Sequence, residues 1–318
     1  MSSAASTVSA HREDLDGLRG LAILLVMIDH TDLLPVTSGI AGVTAFFVLS
    51  GYLITGTLLR EKDQSGIRLR AFYGRRVRRL APALVVLLIV VVFLGIFGIA
   101  EPWIIGVLSA MAYVANWAMS QQLGLMGHAW SLAIEEQFYL IWPLVMIIAP
   151  RHWLLRIAVI GAVAGSAMFI AWPSEIFSTF TNGGAIMLGC AVAIWGRQLR
   201  GLVGSVGIAL VVAGALFTSP IAAVLGAGLV VSSVTPALIP LAPIGRRAYS
   251  LYLWNWPLTI LVGPIVGIWL TFIVGECSFR FVERRFLSSR QIAEMDPGAT
   301  RMNPLAHLLP SSPGDRPG

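Results

Sequence analysis

Ionisable residues inside apolar stretches are costly and mark function by default, and this sequence holds three sets of them. The first is Arg19 with His30, eleven positions on. At 100° per residue that interval returns to within roughly 20° of its start, so the two share one helix face, about 16 Å apart along the axis. A cation near a membrane surface with an imidazole deeper on the same face suits proton transfer or nucleophilic attack. Asp29 points about 100° away and does not share that face. A purely structural account competes: Arg19 reaches for the surface and His30 makes a packed polar contact.

The second set is His128, Ser131, Glu135, Glu136 and Gln137. Ser131 and Glu135 lie four apart and share a face, with His128 three before Ser131. Paired carboxylates in an apolar setting suit a general acid or base, or an orienter for an imidazole. A Ser-His-Glu hydrolase also fits these residue types, although the spacing is weak support for it. The carboxylates facing a watery vestibule, or pairing with arginine, is the plainer account. The third set, Arg75, Arg76, Arg78 and Arg79, stands just before Pro82. Guanidinium matches phosphate bidentately, so the run could hold a phosphorylated cofactor. Composition alone favours a topology signal or lipid head-group contact.

These residues must be positioned by membrane helices. Hydrophobic residues make up 57% of the 318 positions and charged residues only 12%, about half the charge of a soluble chain. The net charge of +6 does not indicate nucleic acid, because the arginines sit between apolar segments, as the positive-inside rule requires. No metal is expected. Cys190 and Cys277 read as small buried hydrophobes rather than a disulfide. Candidate spans are 18–34, 40–59, 80–100, 102–118, 130–149, 153–172, 183–196, 201–218, 220–240, 248–262 and 264–283. The basic loop 60–79 should be cytoplasmic. It shares a side with Arg151/Arg156, Arg197/Arg200, Arg246/Arg247 and the cluster from Arg280 only if one segment between 80 and 150 fails to cross. Segments 102–118 and 130–149 are the suspects. The expectation is an all-α polytopic bundle of about ten transmembrane helices with both termini cytoplasmic. It comprises a cytoplasmic segment 1–16, a membrane domain 17–287 and a disordered cytoplasmic tail 288–318.

Several stretches resemble the acyltransferase family 3 of membrane O-acyltransferases. They are Leu15-Asp16-Gly17-Leu18-Arg19-Gly20-Leu21-Ala22 with the Arg-x10-His spacing to His30, and Phe46-Phe47-Val48-Leu49-Ser50-Gly51-Tyr52. Phe72-Tyr73-Gly74-Arg75-Arg76-Val77-Arg78-Arg79 follows, then Trp130-Ser131-Leu132-Ala133-Ile134-Glu135-Glu136-Gln137-Phe138-Tyr139. Tyr249-Ser250-Leu251-Tyr252-Leu253-Trp254-Asn255-Trp256-Pro257 and Val282-Glu283-Arg284 close the series. The resemblance covers about 15–287, in order. It implies a ten-span core that moves acetyl or another short acyl group from acyl-coenzyme A to hydroxyls of sugars, glycolipids, cell-wall polymers or macrolides. It implies that Arg19 and His30 are catalytic, with Glu135 and Glu136 as the acidic pair. Arg76 and Arg79, flanked by Arg75 and Arg78, would hold the donor's phosphates. Ser50, Trp130, Tyr252 and Asn255, within the motifs, are the candidate substrate contacts. Two positions depart from the family pattern: Thr44 stands where Asp is frequent, and Asn255 where His is usual, which removes a titratable group. Some relatives carry a fused extracytoplasmic esterase-like domain that this sequence lacks, so transfer would finish in the membrane part or with a partner.

In this reading His30 is a general base or takes the acyl group itself, and a carboxylate of the acidic pair orients it. An uncharged imidazole is needed either way, so activity should fall at acidic pH. The expected partners are acyl-coenzyme A (acetyl-coenzyme A foremost), a hydroxyl-bearing acceptor and the bilayer of the cytoplasmic membrane. Acceptor identity, acyl length and assembly as a homo-oligomer stay open. A transporter or flippase is the rival, separated by donor dependence, and a scaffold subunit is a third reading.

Overall fold

A computed structural model of the chain describes residues 12–31, 38–118, 120–175 and 177–286. It is helical, in the order α1 (Glu13–Asp29), α2 (Ser38–Gln64), α3 (Leu69–Ile96), α4 (Ile104–Met111), α5 (Ser120–Leu123), α6 (Ala129–Ile148) and α7 (Arg151–Ala171). There follow α8 (Thr179–Trp195), α9 (Val203–Leu216), α10 (Pro220–Val231), α11 (Ala242–Gly245), α12 (Ala248–Val262), α13 (Pro264–Ser278) and α14 (Arg284–Phe286). A π-helical turn, Phe279–Glu283, joins the last two. Ser178 and Ser219 cap α8 and α10 by accepting from Phe180 N and Ala222 N, and Gly196 ends α8 at φ 70°, where a side chain would be strained.

Five stretches are long and apolar enough to cross a bilayer: Gly39–Gln64, Leu69–Ile96, Ala129–Ile148, Arg151–Ala171 and Pro264–Phe286. Their outer faces are apolar and exposed, as with Ile89 and Phe93 of α3, Ile141 and Ile148 of α6, and Trp269 and Ile273 of α13. A water-soluble surface does not carry patches of that extent, and the chain is a multi-pass membrane protein. Of the two suspect segments, 130–149 forms the unbroken α6. Segment 102–118 breaks into the eight-residue α4 and a 3-10 turn at Ala115–Trp117, and eight residues rise only about 12 Å. The carboxylates of α6 avoid lipid by turning inward, while Leu140 and Ile141 take the outer face.

Several basic clusters gather at shared ends of the bundle. Lys62 donates to the Met146 and Ala149 carbonyls, closing the end of α6 (2.5 and 3.4 Å), and Arg151 pairs with Asp63. Helix α1 runs through the core, with Leu18, Ala22 and Ile23 wholly buried. Arg12 bonds the Val231 carbonyl at 3.0 Å, and Leu199 N donates to Ser232 O at 2.7 Å. Interhelical contacts rest on small residues, which let backbones touch where lipid offers no hydrophobic drive. A Cβ at Gly189 would lie 2.0 Å from Val48 O, and one at Gly51 2.0 Å from Ile186 O, which locks α8 onto α2.

Helix α1 begins at Glu13, ahead of the first candidate span at 18–34. One expectation changes. Cys277 is exposed on α13, and only Cys190 is buried. The tail 288–318 lies outside the described residues.

Candidate active site

Helices α1, α2, α3, α6 and α12, with the π-turn, surround a cavity of about 170 Å³, many times the roughly 10–15 Å³ that one water needs. One part of its wall is charged: Arg19 from α1, Arg76 and Arg79 from α3, Arg246 from the α11–α12 joint, Glu135 from α6 and Glu283 from the π-turn. Val43, Phe46, Phe47, Leu53 and Ile54 of α2 supply an apolar part.

Four of these charges, Arg19, Arg76, Glu135 and Glu283, have defined partners. Arg19 pairs with Asp16, one turn back, at 2.5 Å. The Arg76 guanidinium lies 3.2 Å from the centre of the Tyr139 ring, close enough for a cation–π contact, and 3.7 Å from Glu136. Ser50 donates to Glu135 Oε1 at 2.7 Å, and the Tyr139 hydroxyl sits 2.8 Å from Ser50 Oγ and 3.1 Å from Glu135 Oε2. Ser250 donates to Glu283. Arg19, Arg76 and Arg79 thus stand together on one wall, with carboxylates held by hydroxyls beside them and an apolar wall adjoining.

His30 does not line this cavity. It caps the end of α1, and its Nδ1 lies 2.5 Å from Asn255 Oδ1 on α12. The amide's other end points to Thr271 Oγ1 of α13, 3.4 Å away, and the Thr271 hydroxyl donates to the Gly267 carbonyl at 2.7 Å. The order of donors runs one way. Thr271 spends its proton on Gly267, so it accepts from the Asn255 amide nitrogen. That leaves the amide oxygen facing His30, which donates from Nδ1 and keeps its lone pair on Nε2. Trp256 meets the imidazole edge-on, ring centres 4.9 Å apart. One turn back along α12, Tyr252 lines the cavity, donates to the His128 carbonyl at 2.7 Å, and stands 2.5 Å from Ser131 Oγ. A single turn of α12 therefore joins the inner end of the cavity to His30.

Arg19, Arg76, Arg79, Ser50, Glu135 and Tyr252 converge on the cavity, while Asn255 converges on His30. Glu136 stands behind Arg76 and does not line the cavity. Arg75 pairs with Glu61 and Arg78 is exposed; neither faces the cavity. Trp130 packs edge-on between Phe47 and Phe177, at 6.3 and 5.0 Å, outside the cavity lining. The Asn255 amide meets His30 Nδ1, while Glu135, one of the two acids expected to orient it, contacts Ser50 and Tyr139. Ser131 bonds Tyr252 rather than His128, so the Ser-His-Glu arrangement is not assembled. Tyr139, Glu283 and Arg246 also line the cavity, although their motifs and cluster did not single them out as site residues. The first was signalled by its four-residue spacing from Glu135, and the second by being an acid within the last apolar stretch. Among the described residues, no group of three His, Cys, Asp or Glu side chains forms a metal site.

Comparison with known proteins agrees with this picture. The model of the acyltransferase family 3 (Acyltransferase domain) matches residues 12–279. Peptidoglycan O-acetyltransferase OatA of Listeria monocytogenes is 33% identical over 85% of this chain and 54% of its own length. O-acetyltransferase OatA of Staphylococcus aureus is 30% identical over 85% of this chain and 56% of its own length. The chain thus spans about half the length of these relatives. No solved structure matches it. With the family model covering most of the sequence, and the helices bringing its motif residues to one cavity and one histidine, the chain belongs to the acyltransferase family 3.

Proposed function

We propose that this chain is a ten-span O-acyltransferase of the cytoplasmic membrane, with both termini inside. It moves a short acyl group, acetyl foremost, from acyl-coenzyme A to a carbohydrate hydroxyl of a cell-wall polymer. The observation that carries the reading is the pairing of an arginine-lined cavity with a histidine whose base nitrogen is set by Asn255, the two joined through one turn of α12. The acceptor class follows the named peptidoglycan relative, which matches 85% of this chain over 54% of its own length.

The donor enters from the cytoplasm, its phosphates on Arg76 and Arg79 with Arg19 beside them, and its thioester arm lies along the apolar wall. At His30, Nε2 takes the proton of the acceptor hydroxyl as the oxygen attacks the thioester carbonyl. The carbon–sulfur bond then breaks, and the departing thiolate takes the proton back from the imidazolium. In the relay form Nε2 itself attacks the carbonyl and expels the thiolate; the acceptor oxygen then attacks the acyl-imidazole, the carbon–nitrogen bond breaks, and the hydroxyl proton passes to the thiolate or to water. Either way Asn255 steadies the ring and accepts from Nδ1 throughout.

Membranes bearing the wild type, His30→Ala or Arg76→Ala, supplied with radiolabelled acetyl-coenzyme A, test this. Label should enter an envelope product with the wild type, and fall to background with His30→Ala. Equal label in all three would sink the proposal in favour of transport.

A further inference from the structure

The arginines of the cavity are not equally occupied. Arg19 is engaged by Asp16, and Arg76 by Glu136 and the Tyr139 ring, with only the Arg76 Nε left buried and without a hydrogen-bond partner. Next to Arg246 in sequence, Arg247 turns away to Glu276 and the Pro243 carbonyl. Arg246 lines the cavity, and its Nη1 is buried with no hydrogen-bond partner. A guanidinium N–H shielded from water and lacking an acceptor is destabilising, and such groups in native proteins call for an explanation, a bound anion among them. The carboxylates that share the wall, Glu135 and Glu283, already accept from Ser50 and Ser250. Arg246 also enters from the α11–α12 joint, on a different element from the α3 arginines. Cations arriving from separate elements can contact different oxygens of one extended anion, which a single helix face cannot do.

We propose that Arg246 is a further donor-binding residue, gripping the diphosphate of the acyl-coenzyme A together with Arg76 and Arg79. This rests on the acyltransferase reading above. Within the site it adds a contact made by the donor's charged end alone, remote from the reacting carbonyl.

The test is a KM and kcat comparison in membranes for wild type, Arg246→Ala, Arg246→Lys and Arg247→Ala. Acetyl-coenzyme A and the phosphate-free acetyl-pantetheine serve as donors. Arg246→Ala should raise KM for acetyl-coenzyme A about tenfold with kcat held within about twofold. Arg246→Lys should lie between, and Arg247→Ala should match the wild type. With acetyl-pantetheine, wild type and Arg246→Ala should coincide. Equal losses on both donors, or a fall in kcat alone, would make the side chain structural and overturn the proposal. So would an unchanged KM for acetyl-coenzyme A. An Arg246→Ala effect seen in phosphatidylglycerol vesicles and absent in phosphatidylcholine would reassign the residue to a lipid head group. If the wild type transfers from neither donor, the acyltransferase reading fails by itself. Calorimetric binding of coenzyme A to detergent-solubilised wild type and Arg246→Ala then decides the anion role separately.

Discussion

The arginine-lined cavity and the His30 cluster are neighbours built on opposite principles. The cavity gathers Arg19, Arg76, Arg79 and Arg246 around two carboxylates, and every formal charge near it belongs to a named motif or joint. The described contacts around His30 include an amide, a hydroxyl and an indole. In the proposed function a polyanionic donor would be held at the mouth by these fixed cations. An imidazole that must gain and lose a proton works best where its partner holds its geometry without pinning its charge, and a neutral amide does that. Separating the two lets one region bind strongly without freezing the chemistry of the other.

Breaking the inner region should cost the most. His30→Ala should lower transfer by about 10³-fold or more at every donor concentration, read as label incorporated under saturating acetyl-coenzyme A. Asn255→Leu comes next. It leaves the imidazole without its acceptor and should lower kcat by about tenfold to a hundredfold, with KM for the donor unchanged. A KM rise in Asn255→Leu would mean that the amide touches the donor and that the two regions are one. Arg79→Ala attacks the mouth and should do the converse, raising KM about tenfold with a smaller change in kcat. Full rescue of Arg79→Ala by saturating donor would sharpen the division, whereas a kcat loss that donor cannot rescue would erase it.

Much of this was legible in the sequence, and the reasons differ residue by residue. The Arg76–Arg79 pair is a local fact of helix geometry, and both residues reach the cavity because a helix keeps its faces, whereas of Arg19 and His30 only Arg19 lines it. Glu135 and Glu136 were legible as costly acids, yet their partners were not. A carboxylate on α6 can turn toward any of several neighbours, and it turns toward Ser50, Tyr139 and Arg76 rather than His30. Asn255 read as the loss of a titratable group. Its bond to His30, 225 residues away, depends on how α12 is seated against α1, which no local pattern encodes. Arg246 was indistinguishable from a topology signal, since the paired arginines at 246 and 247 part company only where α11 meets α12. The break in segment 102–118 had a charge-parity signal, but hydropathy alone gave it the same standing as a crossing helix.

The smallest effect probes how far the neutral design extends. Thr271 lies on α13, wholly buried, and reaches Asn255 over a long 3.4 Å contact while donating to Gly267 at 2.7 Å. Thr271→Val keeps the volume and removes the hydroxyl, so the Asn255 amide nitrogen loses its acceptor and the amide can turn over. Once turned, the amide presents N–H to Nδ1, and the imidazole must move its proton to Nε2, the nitrogen that should act as base. A contact this long constrains weakly, so kcat should fall by only about threefold to tenfold, with donor KM unchanged. The shift is best read by nitrogen NMR of labelled histidine, where wild type and variant should differ in the fraction protonated at Nδ1. If kcat falls as far as in Asn255→Leu, the third helix sets the tautomer and the reacting region spans α1, α12 and α13. If neither kcat nor the tautomer changes, Asn255 is held by the seating of α12 alone, and the boundary of the reacting region lies at that helix.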